Sequence, residues 1–317
     1  MIMLIDILVV LVICIYTLDG YRQGFLKMLV DLGGIVLSFI VALKYYEFAA
    51  IYFSDRGIAS TLSRPLGFFT LWAILQVIIY LLIVLIFRYV PDFINNNKIN
   101  KYLGTLPGMV KGIIIISLFL ILLMTLPLKT TTKDQFSHSL IAGRLINSTA
   151  ETGAQMNQVL GKVNNGISFI GRVSQNGDQE KLGFQTTDLK SDEGAEIEML
   201  VLINEARAKA GEEPVKQDIL LRNVARVHAR DMLIKGYLSH NDLTGKSPTE
   251  RLSEVGAIFN IVGENIALAP TVDLANVGLM NSVKHRENIL SADFKKVGVG
   301  AVDAGAFGKM FVEEFTD

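Results

Sequence analysis

Two histidines and a glutamate in the last third of this 317-residue chain carry the side chains best suited to chemistry. His240 closes Tyr237-Leu238-Ser239-His240, and Glu264 lies in Gly263-Glu264-Asn265-Ile266. His285 lies in Asn281-Ser282-Val283-Lys284-His285-Arg286-Glu287-Asn288-Ile289-Leu290. Each stands beside an expected turn or helix end, where the three can converge on one cleft. Neutral imidazoles are common ligands of Zn2+, and a carboxylate completes or orients such a site. His240, His285 and Glu264 would therefore give three ligands for Zn2+ or another divalent metal, with a position open for water. An enzyme built this way would be a metal-dependent hydrolase with Glu264 as general base. The same residues also suit a hydrogen-bonded cluster in which Glu264 orients a histidine and Asn265 satisfies loop backbone groups. Ser239, Asn265, Ser282 and Arg286 complete the cleft set.

Other chemistries find less support. Neither His-Glu-x-x-His nor Gly-x-Ser-x-Gly occurs. Ser282 and His285 are three apart and could touch on a helix, but no third member of a triad is evident. His228 is expected to pack mid-helix beside core positions. Arg286 is expected in solvent, or paired with Glu287 or a cleft acid.

The elements that must position these groups follow from periodicity and stop signals. Ile197, Leu200, Val201 and Asn204 share one face of a helix that Gly211 ends. A second helix spans about 217–235, with Leu220, Val224, Val227 and Leu233 inside and Gly236 as its stop. Ser247-Pro248-Thr249-Glu250 is a capping box with proline at the first helical position, and Gly256 closes that short helix. Another helix begins at Thr271 or Asp273 and runs to about Ser282. Lys296–Val302 and Phe307–Phe315 read as two strands joined at Asp303-Ala304-Gly305. Residues 194–317 are thus expected to form an α+β domain, a small antiparallel sheet covered by helices.

The segments Ala225-x-x-His228-Ala229-x-Asp231-Met232, Ser239-His240, Gly263-Glu264-Asn265-Ile266-Ala267, Asn281-Ser282-x-x-His285-Arg286-x-Asn288-Ile289-Leu290 and Val297-Gly298-Val299-Gly300, with the closing Phe311–Phe315, keep their order over 195–317. In this they resemble the CAP superfamily, the cysteine-rich secretory protein family, in its cysteine-free bacterial form. The resemblance implies an α-β-α sandwich with a cleft lined by two histidines and acidic residues. By position, His240 and His285 match the paired histidines and Glu264 the acidic residue. Two departures weaken catalysis more than binding: Leu279 replaces the usual tryptophan, and the second acidic residue has no counterpart among Leu279, Met280, Asn281 and Ser282.

Upstream the composition changes. Residues 1–128 hold 15 of the 61 Asp, Glu, Lys and Arg, and residues 129–317 hold the other 46. Four apolar stretches, about 2–18, 25–43, 67–87 and 109–128, approach the ~20 residues that cross a bilayer. The first lacks a basic leader and a small-x-small cleavage site, so a retained helix is expected. Arg22, Lys27, Arg88, Lys98, Lys101 and Lys111 flank loops one and three, whereas Lys44, Arg56 and Arg64 flank loop two. That bias puts loops one and three in the cytoplasm, and both termini and the α+β domain on the extracytoplasmic side of the cell membrane. Gly20/Gly24 and Gly104/Gly108/Gly112 are spaced for close helix packing. Asp6, Asp19 and Asp31 are candidates for a substrate or proton path. Asp31 can instead pair with Lys27, whereas Asp6 is the hardest to assign to solvent.

Asp19-Gly20-Tyr21-Arg22-Gln23-Gly24-Phe25, Gly33-Gly34, and Leu103-Gly104-x-x-Pro107-Gly108-x-x-Lys111-Gly112 resemble the colicin V production (CvpA) membrane-protein family over residues 1–130. Membership would imply a four-helix inner-membrane protein linked to toxin production or export. Residues 131–193 form the connector. Leu140, Ile141, Leu145 and Ile146, then Met156, Leu160, Val163, Ile167 and Ile170, suit two amphipathic helices. Residues 174–180 and 186–194 look flexible, and His138 solvated.

A net charge of −1 argues against nucleic acid as a partner. Cys14 is the sole cysteine, so disulfides within the chain are excluded. The expected protein is a membrane-anchored, extracytoplasmic module that binds a lipid, glycan or protein of the cell envelope, with a metal as a candidate aid. The alternatives are the hydrolase and an export component acting through the helices.

Overall fold

The computed structural model describes residues 2–58, 60–89, 97–126, 128–159, 172–174 and 179–317. They fall into two compact units, Met1–Leu126 with His138–Ile146, and Pro127–Ser137 with Asn147–Asp317.

Four helices make up most of the first unit: α1 (Ile2–Gln23), α2 (Phe25–Ser54), α3 (Ser60–Phe87) and α4 (Lys98–Thr125). Each is long and apolar enough to cross a membrane. They outrun the expected spans because polar residues extend a helix beyond the apolar core; Gln23, for example, bonds Asp19 one turn back at 2.6 Å. At Gly24 the left-handed φ of 81° breaks α1 from α2. A Cβ added at Gly20, Gly104 or Gly108 would run into the backbone of the opposite helix, so α1 and α4 touch main chain to main chain.

Three charged residues differ from expectation. Lys111, assigned above to loop three, lies inside the span Lys98–Met124. Loops one and three then keep Arg22, Lys27, Arg88, Lys98 and Lys101. Asp31 faces the bundle with Met28, Gly34 and Ile35, and its partner is Lys111 of α4 rather than Lys27. Asp6 accepts hydrogen bonds from the backbone of Leu140 (3.1 Å), Ile141 (2.8 Å) and Ala142 (3.3 Å), and from the Ser139 hydroxyl. These groups open α6, described next, so Asp6 caps a helix.

The connector contributes α5 (Thr130–Ser137) and α6 (Ala142–Val159), which buries Ala142, Ile146 and Ala150. Leu160, Val163, Ile167 and Ile170 lie outside the described residues. Three short strands, β1 (Arg172–Val173), β2 (Glu180–Lys181) and β3 (Lys190–Ser191), join the sheets of the second unit.

That unit continues with α7 (Glu193–Ala210), β4 (Lys216–Gln217), α8 (Ile219–Lys235), β5 (Tyr237–Leu238) and α9 (Pro248–Glu254). Then come β6 (Val262–Ala269), α10 (Val272–Asn281), α11 (Val283–Leu290), β7 (Lys296–Asp303) and β8 (Lys309–Thr316). The main sheet has the order β1-β6-β8-β7-β3, with β4 added parallel to β7; β2 pairs with β5 separately. The α+β class and the β7–β8 hairpin are as expected.

Two features differ. Glu264 stands within a strand, β6, rather than beside a turn or helix end. β6 is buried along nearly its whole length, and such a strand normally reads as a continuous apolar run. Here Gly263-Glu264-Asn265 interrupts the run. The inward helix faces also differ: α8 buries Leu221, Val224, Ala225, His228 and Leu233 while Leu220 and Val227 are exposed. On α7 the core face is Ala195, Met199 and Ile203, and Ile197 and Val201 point outward. The close approach of α8 to β7 selects this rotation. Gly298 and Gly300 have no room for a Cβ beneath Leu221–Arg222 and Ala225–Arg226.

Candidate functional site

Strand pairing assembles the acidic half of the site. β6 and β8 run antiparallel with Glu264 opposite Glu314 and Asn265 opposite Glu313. Successive side chains point to opposite faces of a strand, so Glu264 and Glu314 share one face and Asn265 and Glu313 the other.

On the first face, Glu264 Oε1 accepts from His240 Nδ1 at 2.7 Å. Glu264 Oε2 accepts from Arg251 of α9, whose Nη2 also reaches Glu314 Oε1 at 3.4 Å. The other guanidinium nitrogen of Arg251 donates to the carbonyls of His240 (2.8 Å) and Lys246 (3.2 Å), fixing the loop that carries His240. The capping box at Ser247 and Glu250 starts α9 and so aims Arg251. On the second face, Asn265 Nδ2 donates to Glu313 Oε2 (2.9 Å) and to the His285 carbonyl (3.1 Å). Asn288 Nδ2 donates to Asn265 Oδ1 at 2.9 Å.

The two imidazoles stack, with centroids 6.2 Å apart and planes 24° from parallel. His285 Nδ1 is hydrogen-bonded to the Ser282 hydroxyl at 2.6 Å, and its ring also bonds the Ser174 backbone. Burial depresses His285 to about 4, helped by the neighbouring His240 and Lys284. His240 is lowered too, again chiefly by burial. Both rings are therefore neutral near pH 7. Burial raises Glu264 to about 7 against the pull of Arg251, and raises Glu313 to about 7. Glu314 is raised as well, through burial and then the charge of Glu264.

Among the described residues, His240, His285 and Glu264 do not bring three ligand atoms within 4.8 Å of one another. Both Glu264 oxygens are engaged, and its side chain is 2% exposed. His285 is held by Ser282 and Ser174. Of the two rings His240 is the more exposed, its side chain 25% exposed with Nδ1 on Glu264. A carboxylate accepts, so His240 carries its proton on Nδ1 and offers a lone pair at Nε2.

The remaining cleft residues support this framework. Ser239 is buried; its hydroxyl accepts from the Asn241 amide at 3.2 Å and its carbonyl bonds the His228 ring at 2.9 Å. His228 is packed in the core, as expected. Among the described residues Arg286 pairs with no acid; it donates to the Met280 carbonyl at 2.8 Å, where the last turn of α10 leaves acceptors open. Arg251, Glu313 and Glu314 join the site without having been expected there, and Asn288, expected only as part of the His285 motif, joins it too. Two adjacent glutamates inside the apolar run of β8 were the available signal.

The chain resembles known proteins in two separate parts. Residues 5–150 match the family model for colicin V production protein, and residues 200–315 that for the cysteine-rich secretory protein family. The uncharacterized protein YkwD of Bacillus subtilis is 34% identical over 128 residues, 40% of this chain and 50% of that protein. The uncharacterized membrane protein YlbC of the same organism is 34% identical over 122 residues, 38% of this chain and 35% of that one. The matches thus span half or less of these relatives. A solved extracellular protein containing a SCP domain from Bacillus anthracis is 28% identical, over 39% of this chain and 41% of its own, with a TM-score of 0.36. An outer surface protein from Borrelia burgdorferi is 21% identical, over 40% and 97%, with a TM-score of 0.38.

Proposed function

The chain joins a region of the colicin V production family to a domain of the cysteine-rich secretory protein family, and from that premise we propose an envelope binding module anchored by four helices. In this reading both termini and the α+β domain are extracytoplasmic. Five basic residues flanking loops one and three, against three at loop two, support that side.

Binding centres on His240. The observation that carries this reading is the 2.7 Å bond from its Nδ1 to Glu264, which turns Nε2 into an oriented acceptor. Such an acceptor suits a ligand that presents a hydroxyl or amide N–H, as glycans and peptides do. No resident metal is needed. The same bond, with Arg251 on the other carboxylate oxygen, counts against hydrolysis with Glu264 as base, because both oxygens are engaged on a buried side chain.

The test is a binding screen of the full chain in lipid nanodiscs against envelope glycans, peptides and lipids, with and without EDTA. His240→Ala should weaken the best ligand about ten-fold, the worth of one well-placed hydrogen bond, and EDTA should change nothing. Equal binding by wild type and variant would sink the role of His240; loss on EDTA treatment would restore a metal. Protease added to intact cells should digest the α+β domain, and its protection would reverse the orientation.

A further inference from the structure

The membrane unit holds a charged pair inside its spans. Lys111 stands thirteen residues from either end of the span Lys98–Met124. Asp31 stands six residues into the span Phe25–Ser54, so both groups lie inside membrane-spanning helices. The Lys111 ammonium pairs with Asp31 of α2, the two side chains being 14% and 9% exposed. The same ammonium lies 5.3 Å from the centre of the Tyr16 ring on α1. Three helices therefore meet at one buried ion pair.

Packing does not require the pair. α1 and α4 are already registered by Gly20, Gly104 and Gly108, and Gly104 also abuts Gly24 and Phe25 at the start of α2. Gly34 seats Ile79, and Gly67 seats the backbone of Tyr46 and Ala50, so α2 and α3 are registered too. Burying two charges costs several kcal/mol each before their attraction is counted, and ionisable residues at membrane depth mark proton or ion paths. Two turns along α2 from Asp31, Ser38 accepts a hydrogen bond from Gln76 of α3. One turn before Gln76, Trp72 Nε1 is buried with no hydrogen-bond partner among the described residues. Polar groups thus continue from the ion pair toward the Ser54 end of α2.

We propose that Asp31 and Lys111 are a proton-transfer pair through which the membrane unit moves protons across the bilayer. A proton arriving from one side neutralises the Asp31 carboxylate. Lys111, its counter-charge gone, passes a proton to the other side. Transfer of the Asp31 proton to the Lys111 amine then restores carboxylate and ammonium. One proton enters, one leaves, and no other reactant is consumed.

The test places the full chain in phospholipid vesicles that hold a pH-sensitive dye, with valinomycin setting a potassium diffusion potential. Wild type should acidify the lumen faster than protein-free vesicles do. Asp31→Asn and Lys111→Met should each lose that flux. Either variant strands a buried charge, so the Asp31→Leu/Lys111→Leu double variant, apolar on both sides, serves as the folded control. It should insert and melt like wild type yet carry no flux. Wild-type flux at the protein-free level, or full flux in the double variant, overturns the proposal and leaves the pair a packing feature.

Discussion

Glu264 and Glu314 face each other across adjacent antiparallel strands, and a single guanidinium, that of Arg251, reaches both. Two carboxyl groups this close do not both ionise, so one proton is shared between them and Arg251 balances the charge that remains. The second acid that the family pattern places on the α10 helix is absent there, but Glu314 supplies a carboxyl beside Glu264 from β8.

Removing Arg251 should therefore be severe. Arg251→Met leaves the buried carboxyls uncompensated and releases the loop that carries His240, at a cost of about 3–5 kcal/mol. Adding Glu264→Gln and Glu314→Gln should recover much of that loss, because no buried charge then remains. Thermal unfolding of the full chain followed by circular dichroism measures both. An Arg251→Met protein as stable as wild type would refute the charge balance.

Glu313 carries a pH dependence of its own. Burial raises its carboxyl from the ordinary 4.5 to about 7, so between those values the folded protein holds a proton that the unfolded chain has lost. Stability is unimpaired by this group below about pH 4.5 and falls as pH rises, by about 3 kcal/mol once pH exceeds 7. Glu313→Gln should stabilise the protein at pH 8 and flatten the profile, leaving the part due to Glu264 and Glu314. Unfolding midpoints at pH 5 and pH 8 check it; a profile as steep as wild type's would refute it.

Local chemistry was the legible part of the sequence. Gly211 and Gly236 end α7 and α8 with left-handed φ of 82° and 74°, and Ser247 with Glu250 forms the capping box. Those signals lie within a few residues of what they determine. The misassigned features depend on partners distant in the chain. Val227 looked like core because it is apolar, yet Gly298 and Gly300 admit the face of α8 that carries Ala225 and His228. Glu264 concealed β6 because a charge inside a strand is tolerated only where His240 and Arg251 can meet it. Lys111 read as a loop residue because its counter-ion, Asp31, lies 80 positions away.

Arg207 makes a related dependence testable within the α+β domain. It is fully buried and donates to the carbonyls of Glu213 (2.7 Å), Ile289 (2.8 Å), Ser291 (2.8 Å) and Phe294 (3.4 Å). It thus pins the end of the helix that carries His285. Lysine cannot reproduce this fork, so Arg207→Lys should cost about 2–4 kcal/mol. It should also loosen the Ile289–Phe294 segment, which faster amide exchange there would register. Unchanged exchange would mean that the end of α11 is held by its apolar packing alone.

Asp6 separates a capping role from a path for protons. As the acceptor for the Leu140, Ile141 and Ala142 amides, it stabilises the start of α6. Asp6→Asn keeps an acceptor and should change little, whereas Asp6→Ala should speed hydrogen exchange at those three amides. Proton flux in vesicles should be the same for both variants, since the ion pair at Asp31 and Lys111 is untouched. A drop in flux with Asp6→Asn would instead place Asp6 on the path, because that substitution preserves the cap and removes only the titratable group.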